Sequence, residues 1–310
     1  MKIVFLDEYS LGGVDLAPIR SLGDYVGYEI TTTAQEVIER CWDAQVVITN
    51  KVVLNRQTLA QLKSLRMVCV AATGVNNVDT VAAAQLGIEV RNAVGYSTQS
   101  VAEATLASAL ALVRHIGYYD NYIKSGSYFQ SDRLFNFDRQ IGQLCGRRWG
   151  IVGMGAIGRR VAELASAFGC EVNYFSVSGA VRHESWPRVE QLDELLATSD
   201  VVSIHSPLTA QTAGLIGARE IGLMPSHAIL INVARGGIVD EVALSNALNS
   251  RSIAAAALDV FSSEPLPATS PLLAVDNKEQ LLLSPHNAWS ADRAIERLVV
   301  AIVENIKLLN

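Results

Sequence analysis

Residues 148–158 read RWGIVGMGAIG, a short apolar run followed at once by three spaced glycines. The apolar part predicts a strand, and the glycines mark the start of a helix. In a G-x-G-x-x-G turn the first glycine permits the tight turn, the second lets the backbone approach a pyrophosphate, and the third lets helix and strand pack closely. The helix N-terminus adds N–H donors for the phosphates. The stretch therefore predicts a Rossmann dinucleotide site whose cofactor-binding residues include Gly153, Met154, Gly155, Ala156, Ile157 and Gly158.

Apolar runs rich in β-branched residues alternate with helical patterns along almost the whole chain. Continuous apolar strands separated by helices are typical of parallel sheets that are covered on both faces. Two such sets predict an α/β protein with two doubly wound parallel-sheet domains. The predicted strands are Ile3–Leu6, Val46–Thr49, Met67–Ala71 and Ile88–Arg91 in the first set, and Arg148–Val152, Glu171–Phe175, Val201–Ile204, Ala228–Val233, Ala254–Asp259 and Leu281–Ser284 in the second.

Two long helical patterns set the predicted domain boundaries. Val101–Ile116 is nearly uncharged and rich in alanine, so it could connect two domains or form a dimer contact. Ala291–Leu309 has apolar residues on one helical face, so a helix here could return to the first domain. We therefore predict a flavodoxin-like substrate domain, residues 1–98 and 288–310, into which a Rossmann domain, residues 99–287, is inserted.

The composition argues against several classes of protein. Half of the 310 residues are hydrophobic and 18% are charged, which is typical of a globular protein with a substantial core. A formal charge of −6 argues against a nucleic-acid partner. No run approaches the roughly 18 consecutive apolar residues of a membrane span. The four cysteines lie far apart without a C-x-x-C pair, so we expect no metal site and a reducing, cytoplasmic location.

Residues 125–144 differ from the rest, because Tyr128, Phe129, Phe135 and Phe137 stand among charged residues with weak periodicity. One interpretation is a surface loop with a small core of its own. The other is an arm that packs on a second subunit, since exposed aromatic side chains need cover. The residues leave both interpretations open, and the second predicts a homodimer.

Three polar residues stand beside a loop-forming glycine or proline in the second half of the chain. They are Arg235 in NVARGG, Glu264 in VFSSEP and His286 in SPHN. Each of them taken singly could be solvent-facing or structural, but ligands bind at the carboxyl ends of doubly wound strands. An arginine can hold a carboxylate, a histidine can move a proton, and a glutamate can fix the histidine tautomer. Beside a nicotinamide, this set could reduce a 2-keto acid or oxidise a 2-hydroxy acid.

Ser176 occupies the end of the strand that follows the glycine turn, where NAD-binding proteins of this fold carry an acidic residue for the adenosine ribose. A serine could still bind a ribose hydroxyl, and without a carboxylate a 2′-phosphate is not repelled. The nearest basic residues are Arg182 and His183, and no arginine follows Ser176 directly. NAD and NADP therefore both stay open, and the missing phosphate clamp favours NAD.

Several motifs in a fixed order resemble the D-isomer-specific 2-hydroxyacid dehydrogenases over nearly the whole chain. These motifs are ATGVNNVD (72–79), SVAE (100–103), GMGAIG (153–158), HSPLT (205–209), NVARGG (232–237), DVFSSEP (259–265) and PHNAW (285–289). The combination is specific for the family. It implies an NAD(P)-dependent enzyme that transfers a hydride between a nicotinamide and a small D-2-hydroxy acid or 2-keto acid.

The resemblance also implies roles for single residues. The N–H groups of Val75 and Asn76 would hold the substrate carboxylate together with Arg235, and His286 would supply the proton. The carboxylate of Asp259 and the carbonyl of Val233 would orient the nicotinamide carboxamide. The cofactor residues outside the glycine turn would be Thr98, Ser176, His205, Pro207, Thr212, Val233 and Asp259.

Within the family, the runs YFSVSG (174–179) and HNAW (286–289) are most similar to glycerate dehydrogenases, also named hydroxypyruvate reductases. This likeness implies glycerate and hydroxypyruvate, or glyoxylate, as substrates, and the family implies a homodimer. Ser176 departs from the usual NAD-type pattern of the family. One alternative belongs to another functional class, namely a dinucleotide-sensing protein like the transcriptional co-repressors that share this fold.

Overall fold

The structure is a computed structural model that describes residues 1–179 and 185–309. The chain divides into two compact units, the first made of Met1–Ser97 with Ser290–Asn310 and the second of Thr98–Trp289. The substrate and cofactor roles predicted for the two parts of the chain remain predictions. Arg182 and His183, the basic residues considered beside Ser176, lie outside the described residues.

Strands and helices alternate along the chain. The strands are β1 (Lys2–Phe5), β2 (Asp24–Gly27), β3 (Val46–Thr49), β4 (Met67–Val70), β5 (Glu89–Asn92), β6 (Arg148–Val152), β7 (Glu171–Phe175), β8 (Arg188–Val189), β9 (Val201–Ile204), β10 (Ile229–Asn232), β11 (Ala255–Leu258) and β12 (Leu281–Leu283). The helices are α1 (Ala17–Arg20), α2 (Ala34–Cys41), α3 (Arg56–Leu59), α4 (Thr80–Gln85), α5 (Thr98–Val113), α6 (Ile116–Lys124), α7 (Ala156–Ala167), α8 (Leu192–Thr198), α9 (Ala218–Leu223), α10 (Glu241–Asn249) and α11 (Asp292–Lys307). Short 3-10 turns lie at Glu8–Leu11, Pro271–Ala274 and Lys278–Gln280.

The first unit contains a five-stranded parallel sheet in the order β2-β1-β3-β4-β5, which is the flavodoxin-like order. Every residue of β3 and β4 is buried, as continuous apolar strands in the middle of a covered parallel sheet must be. The helix α11 packs on β4 and β5 and also contacts α1. The last helix of the chain thereby completes the unit that its first strand begins.

The second unit contains seven parallel strands in the order β12-β11-β10-β9-β6-β7-β8. Read from β8, this is the Rossmann order with an added strand, and the direction of winding reverses between β6 and β9. The helix α5 packs along α7, on the face of the sheet where Trp149 and Ile151 are fully buried. The predicted fold class, two doubly wound parallel sheets, is confirmed.

Two strands escape the sequence pattern, β2 and β8. Both lie at an edge of their sheet, and β2 is only half-buried. An edge strand buries little side-chain area, so its sequence need not be a continuous apolar run. The long helix predicted at Val101–Ile116 is α5, and it ends at Val113. His115 has a left-handed backbone conformation, with φ of 52°, which interrupts the helix and precedes α6.

None of the helices in the described ranges combines the length and the apolar character that crossing a membrane requires.

Candidate active site

The carboxyl ends of the second unit's parallel strands meet at one edge of the sheet, and the predicted site residues follow those ends. Gly153 follows β6, Ser176 follows β7, His205 follows β9, Val233 and Arg235 follow β10, Asp259 follows β11, and His286 follows β12. The topology therefore brings to a single edge residues that are spread over more than a hundred positions in the sequence.

The glycine turn is closed on its inner side and open on its outer side. A Cβ on Gly153, whose φ is 99°, would lie 2.8 Å from the backbone nitrogen of Ser206, and one on Gly158 would lie 2.3 Å from the carbonyl oxygen of Gly153. A Cβ on Gly155, which caps the N-terminus of α7, would meet no heavy atom within 4 Å. The inner glycines hold the strand and helix together, and the space over Gly155 fits the pyrophosphate of a dinucleotide.

The remaining turn residues support this cradle from below. Met154 is buried in the core cluster that includes Trp149, while Ala156 and Ile157 form the first turn of α7. The first N–H groups of a helix have no partner within the helix. They are therefore available for phosphate oxygens above Gly155.

The loop after β9 is held by a buried threonine. Thr212 is 1% exposed, and its hydroxyl donates to the carbonyl of Pro207 at 2.6 Å. His205 Nε2 lies 2.9 Å from Ser203 Oγ, which accepts from Trp149 Nε1 at 2.9 Å. Burial lowers the pKa of His205 to about 3, so its imidazole is neutral at physiological pH. A neutral ring can support the cofactor pocket by contact and hydrogen bonding, but it carries no charge for the phosphates.

Ser176 and Thr98 are the polar residues predicted for the outer parts of the cofactor pocket. Ser176 is buried directly after β7, with its hydroxyl 3.5 Å from Ser178 Oγ, and Thr98 is the first residue of α5. Neither side chain has a charge. Ser176 can therefore offer a hydroxyl to a ribose without attracting or repelling a 2′-phosphate.

Glu264 and His286 form a close hydrogen-bonded pair, with His286 Nδ1 2.7 Å from Glu264 Oε2. The other carboxylate oxygen of Glu264 accepts from the backbone N–H of Phe261 at 3.0 Å. The His286 side chain is 20% exposed, and its backbone φ is 53°. Because a carboxylate occupies Nδ1, that nitrogen carries a proton, and Nε2 is the atom available to a substrate. This is the arrangement of an oriented proton donor.

Asp259 holds the loop that carries His286. Its buried carboxylate accepts from Ser284 Oγ at 2.5 Å and from the backbone N–H groups of Asn287 and Ala288, each at 3.0 Å. The indole N–H of Trp289 donates to the carbonyl of His286 at 2.8 Å. These bonds fix the backbone on both sides of the histidine, a role for Asp259 and Ser284 that the sequence alone did not indicate.

The turn that carries Arg235 is built around Asn232. The Asn232 side chain accepts from the N–H of Ala234 at 3.0 Å and donates to the carbonyl of Arg235 at 2.9 Å. Arg235 Nη1 donates to the Ala234 carbonyl at 2.7 Å, and a guanidinium has four further N–H donors. A Cβ on Gly236 would lie only 1.8 Å from the carbonyl oxygen of Phe261, so this turn is pressed against the segment that Glu264 holds.

Val75 and Asn76, predicted to bind the substrate carboxylate, follow β4 in the first unit. Their loop is held in place because Asn77 Nδ2 donates to the Val52 carbonyl at 3.0 Å, and the N–H of Val78 donates to the Val75 carbonyl at 3.0 Å. Within the described ranges, neither Val75 nor Asn76 has an acceptor for its backbone N–H. Both N–H groups are therefore available to an anionic ligand.

Similarity to known proteins extends over the whole chain. A sequence profile described as the NAD-binding domain of D-isomer-specific 2-hydroxyacid dehydrogenases matches residues 106–288. A glycerate dehydrogenase of Methylorubrum extorquens is 37% identical, with 99% of this chain and 95% of that protein aligned. A hydroxypyruvate reductase of Blautia hydrogenotrophica is 36% identical, with 99% of this chain and 96% of that protein aligned. A D-lactate dehydrogenase of Aquifex aeolicus, solved with NAD and lactic acid, superposes with a TM-score of 0.84 at 26% identity, covering 100% of this chain and 95% of that one.

Proposed function

We propose that this protein, which belongs to the D-isomer-specific 2-hydroxyacid dehydrogenase family, acts on glycerate and hydroxypyruvate, or on glyoxylate. Membership makes the chain an NAD-linked oxidoreductase of 2-hydroxy acids. The choice of acid is supported by full-length similarity to a glycerate dehydrogenase and a hydroxypyruvate reductase. The observation that carries the mechanism is the 2.7 Å hydrogen bond between Glu264 and His286.

The proposed reaction divides the work between His286 and Arg235. The bound nicotinamide supplies the hydride for reduction of the keto carbon. His286 Nε2 donates a proton to the carbonyl oxygen, and the new O–H bond forms as the histidine N–H bond breaks. Glu264 positions the imidazole through Nδ1 and offsets the positive charge that the protonated ring carries. In the oxidation direction His286 accepts the hydroxyl proton instead.

Arg235 is the proposed carboxylate-binding residue. Its guanidinium can form two parallel hydrogen bonds with a carboxylate, which a lysine at the same position could not do. Val75 and Asn76 are proposed separately, as binding residues for an anionic group, on the basis of their unsatisfied N–H groups. We expect Arg235→Ala to raise the KM for the keto acid and to lower kcat, with the Kd for NADH unchanged.

The substrate proposal is tested by NADH oxidation at about 340 nm with hydroxypyruvate, glyoxylate, pyruvate and 2-ketoisocaproate. We expect kcat/KM to be highest for hydroxypyruvate or glyoxylate, by about tenfold or more, which corresponds to roughly 1.4 kcal/mol of transition-state discrimination. A preference for pyruvate or 2-ketoisocaproate would contradict the proposed substrate and leave the family assignment intact. Tight NADH binding without turnover of any acid would favour the sensing function instead.

Ser176 provides a test of the cofactor pocket. Because the serine does not repel a 2′-phosphate, we propose that the enzyme prefers NADH to NADPH only modestly. Ser176→Asp would place a carboxylate beside the ribose, and should weaken NADPH binding about tenfold or more while leaving NADH binding nearly unchanged. Ser64→Asp, at an exposed serine of the first unit, is the control. Equal effects of the Ser176 substitution on both cofactors would show that this side chain does not face the ribose.

Residues 125–144, together with α6 before them, support the proposal of a homodimer. Phe129 and Phe137 are 82% and 81% exposed, and ring contacts connect Tyr122 with both Tyr118 and Tyr128. Such a concentration of exposed aromatic surface is typical of an interface. We expect the protein to have the mass of a dimer in light scattering, and Phe129→Ser with Phe137→Ser to shift it to the monomer. Val94→Ser, at a position that is 76% exposed in the first unit, is the control.

A cytoplasmic location is proposed on the basis of the cysteines. All four are free thiols, and Cys41, Cys69 and Cys170 are buried. Burial raises the pKa of Cys41 and of Cys69 to about 12, so both stay protonated and inert. Reduced thiols are the usual state in the cytoplasm. Recovery of the native protein mainly from an extracytoplasmic fraction would contradict this location.

A further inference from the structure

A cavity lies at the end of the second unit's sheet where the strands begin, opposite the candidate active site. Its volume is about 700 Å³, and it is bordered by the amino ends of three central strands, at Asp200 before β9, Ile229 in β10 and Ala255 in β11. The candidate active site is at the carboxyl ends of the same strands. This amino-edge cavity is therefore separate from the site of hydride transfer, and its volume is in the range of small-molecule pockets.

The charged groups that line the amino-edge cavity leave positive charge uncompensated. Glu279 is paired with Arg139 at 3.0 Å, and Asp200 lies 2.7 Å from His227 Nε2 and 3.8 Å from the guanidinium of Arg148. Arg147 and Arg251 also line the cavity, and within the ranges that the structure describes neither guanidinium has a carboxylate partner. Among the described residues, the Arg147 guanidinium donates only to the backbone carbonyl of Gln143, at 2.8 Å from its Nε.

The backbone at the cavity is held in an unfavourable conformation. Three non-glycine residues of the described chain have a positive φ, namely His115 (52°), Arg251 (59°) and His286 (53°). His286 is the proposed proton donor, and the other two both line the amino-edge cavity. Non-glycine residues in this region cost stability and concentrate at functional sites.

Arg251 stands where a glycine would be more stable. It follows the end of α10, where its N–H bonds to the Leu248 carbonyl and the N–H of Ser252 bonds to the Ala247 carbonyl, the pattern that usually places glycine in the left-handed position. An arginine here gives up that stability and puts a guanidinium at the cavity.

We propose that the amino-edge cavity binds a small-molecule polyanion, a compound with two or more phosphate or carboxylate groups, held by Arg147 and Arg251. The planar guanidinium matches both kinds of anion through paired hydrogen bonds. The anion would accept hydrogen bonds from those guanidinium N–H groups of Arg147 and Arg251 that have no acceptor within the described residues. This site goes beyond hydride transfer and does not depend on which 2-hydroxy acid is the substrate.

The test is calorimetric titration of the full chain, saturated with NAD⁺ so that the glycine turn is occupied. The probes are pyrophosphate for the phosphate class and tricarballylate for the carboxylate class. We expect one of them to bind, and Arg251→Gly and Arg147→Gln each to raise its Kd about tenfold or more. Arg297→Ala, which removes an exposed charge from α11 in the first unit, should leave the Kd unchanged.

The glycine variant also separates binding from structure. Because glycine fits the left-handed position, Arg251→Gly should raise the Tm of the unliganded protein by about 2 °C, although it weakens binding of the probe. A protein that is at least as stable and yet binds less supports the site. The proposal is overturned if the wild type binds neither probe, or if both variants bind the probe as tightly as the wild type.

Discussion

The two units wind their parallel sheets by the same rule and differ at the point where the winding reverses. In the second unit this point lies between β6 and β9, and the loop after β6 is the open glycine turn of residues 153–158. In the first unit it lies between β1 and β3, where Asp7 is only 2% exposed. Asp7 accepts the N–H groups of Asn50 at 2.9 Å and Lys51 at 2.7 Å.

The difference shows that a fold determines where a ligand can bind, while single loop residues decide whether one does. In the second unit, glycines leave backbone N–H donors facing open space, which suits an external anion. In the first unit the carboxyl group of Asp7 accepts hydrogen bonds from the N–H groups of the loop after β3. These donors are therefore not open to an external anion. Burial raises the pKa of Asp7, while the hydrogen bonds from Lys51 and Asn50 act in the opposite direction.

The largest expected effect tests whether the chemistry is at the strand ends of the second unit. We expect His286→Ala to lower kcat by about 10²- to 10⁴-fold, because the proton donor is lost, while the Kd for NADH changes little. Glu264→Gln should lower kcat less, since it removes the orienting charge and keeps the imidazole. Steady-state assays with hydroxypyruvate measure both variants. Near-normal kcat in the alanine variant would remove His286 from the mechanism.

The next effect tests whether the glycine turn makes the loop after β6 accessible to the dinucleotide. Gly158→Ala places a Cβ 2.3 Å from the Gly153 carbonyl oxygen, so α7 must move away from β6. We expect the Kd for NADH, measured by fluorescence titration, to rise about a hundredfold. Gly222→Ala in α9 is the matched control, because its Cβ would meet nothing within 4 Å. Equal affinities in the two variants would contradict the proposed cradle.

A smaller effect tests the structural role of Asp7, which follows β1 in the first unit. Asp7→Ala removes the acceptor of the buried Asn50 N–H and of the Lys51 N–H, and we expect the free energy of unfolding to fall by about 1–3 kcal/mol. The Kd for NADH should be unchanged in the folded variant. Asp15→Ala removes an exposed carboxylate that accepts from Ala17, and should cost about 1 kcal/mol or less. Denaturant unfolding of both variants decides whether Asp7 has the structural role assigned to it.

The smallest effect is the pH dependence of stability at the two reversal points, which should have opposite signs. The pKa of His205 is lowered from 6.5 to about 3, so below pH 6.5 the unfolded state binds a proton that the native state does not, and stability falls as pH falls toward 3. The raised pKa of Asp7 has the opposite effect on stability. The native state holds the Asp7 proton more tightly than the unfolded state does, and this stabilisation is lost as pH rises through the pKa of the folded state.

His205→Asn isolates the histidine contribution. We expect the variant to lose about 1–2 kcal/mol less stability than the wild type between pH 7 and pH 5, measured as the free energy of unfolding at each pH. The same substitution should leave the NADH affinity within a fewfold of the wild type, since the ring is neutral in the native state. A parallel pH dependence in both proteins would show that His205 is accessible to protons in the fold.

Much of this fold and site was predictable because its signals are local. The strands β3 and β4 are wholly buried and therefore wholly apolar, and the glycine turn must follow its strand directly. Arg235, Glu264 and His286 stand in motifs that identify the family. The edge strands β2 and β8 were not found, because a strand with one free edge buries too little surface to need an apolar run.

Sequence alone determined the class of fold, the family, the glycine turn and the identity of the polar residues at the strand ends, since each depends on residues that are neighbours in the chain. Only the tertiary structure decided how those residues are held. Asp259 meets Ser284 across 25 positions, and Asp7 meets Asn50 across 43. The cavity at Arg147 and Arg251 likewise exists only because distant strands begin at one edge. Hydrogen bonds and cavities of this kind arise from chain folding in space, and no periodicity along the sequence encodes their partners.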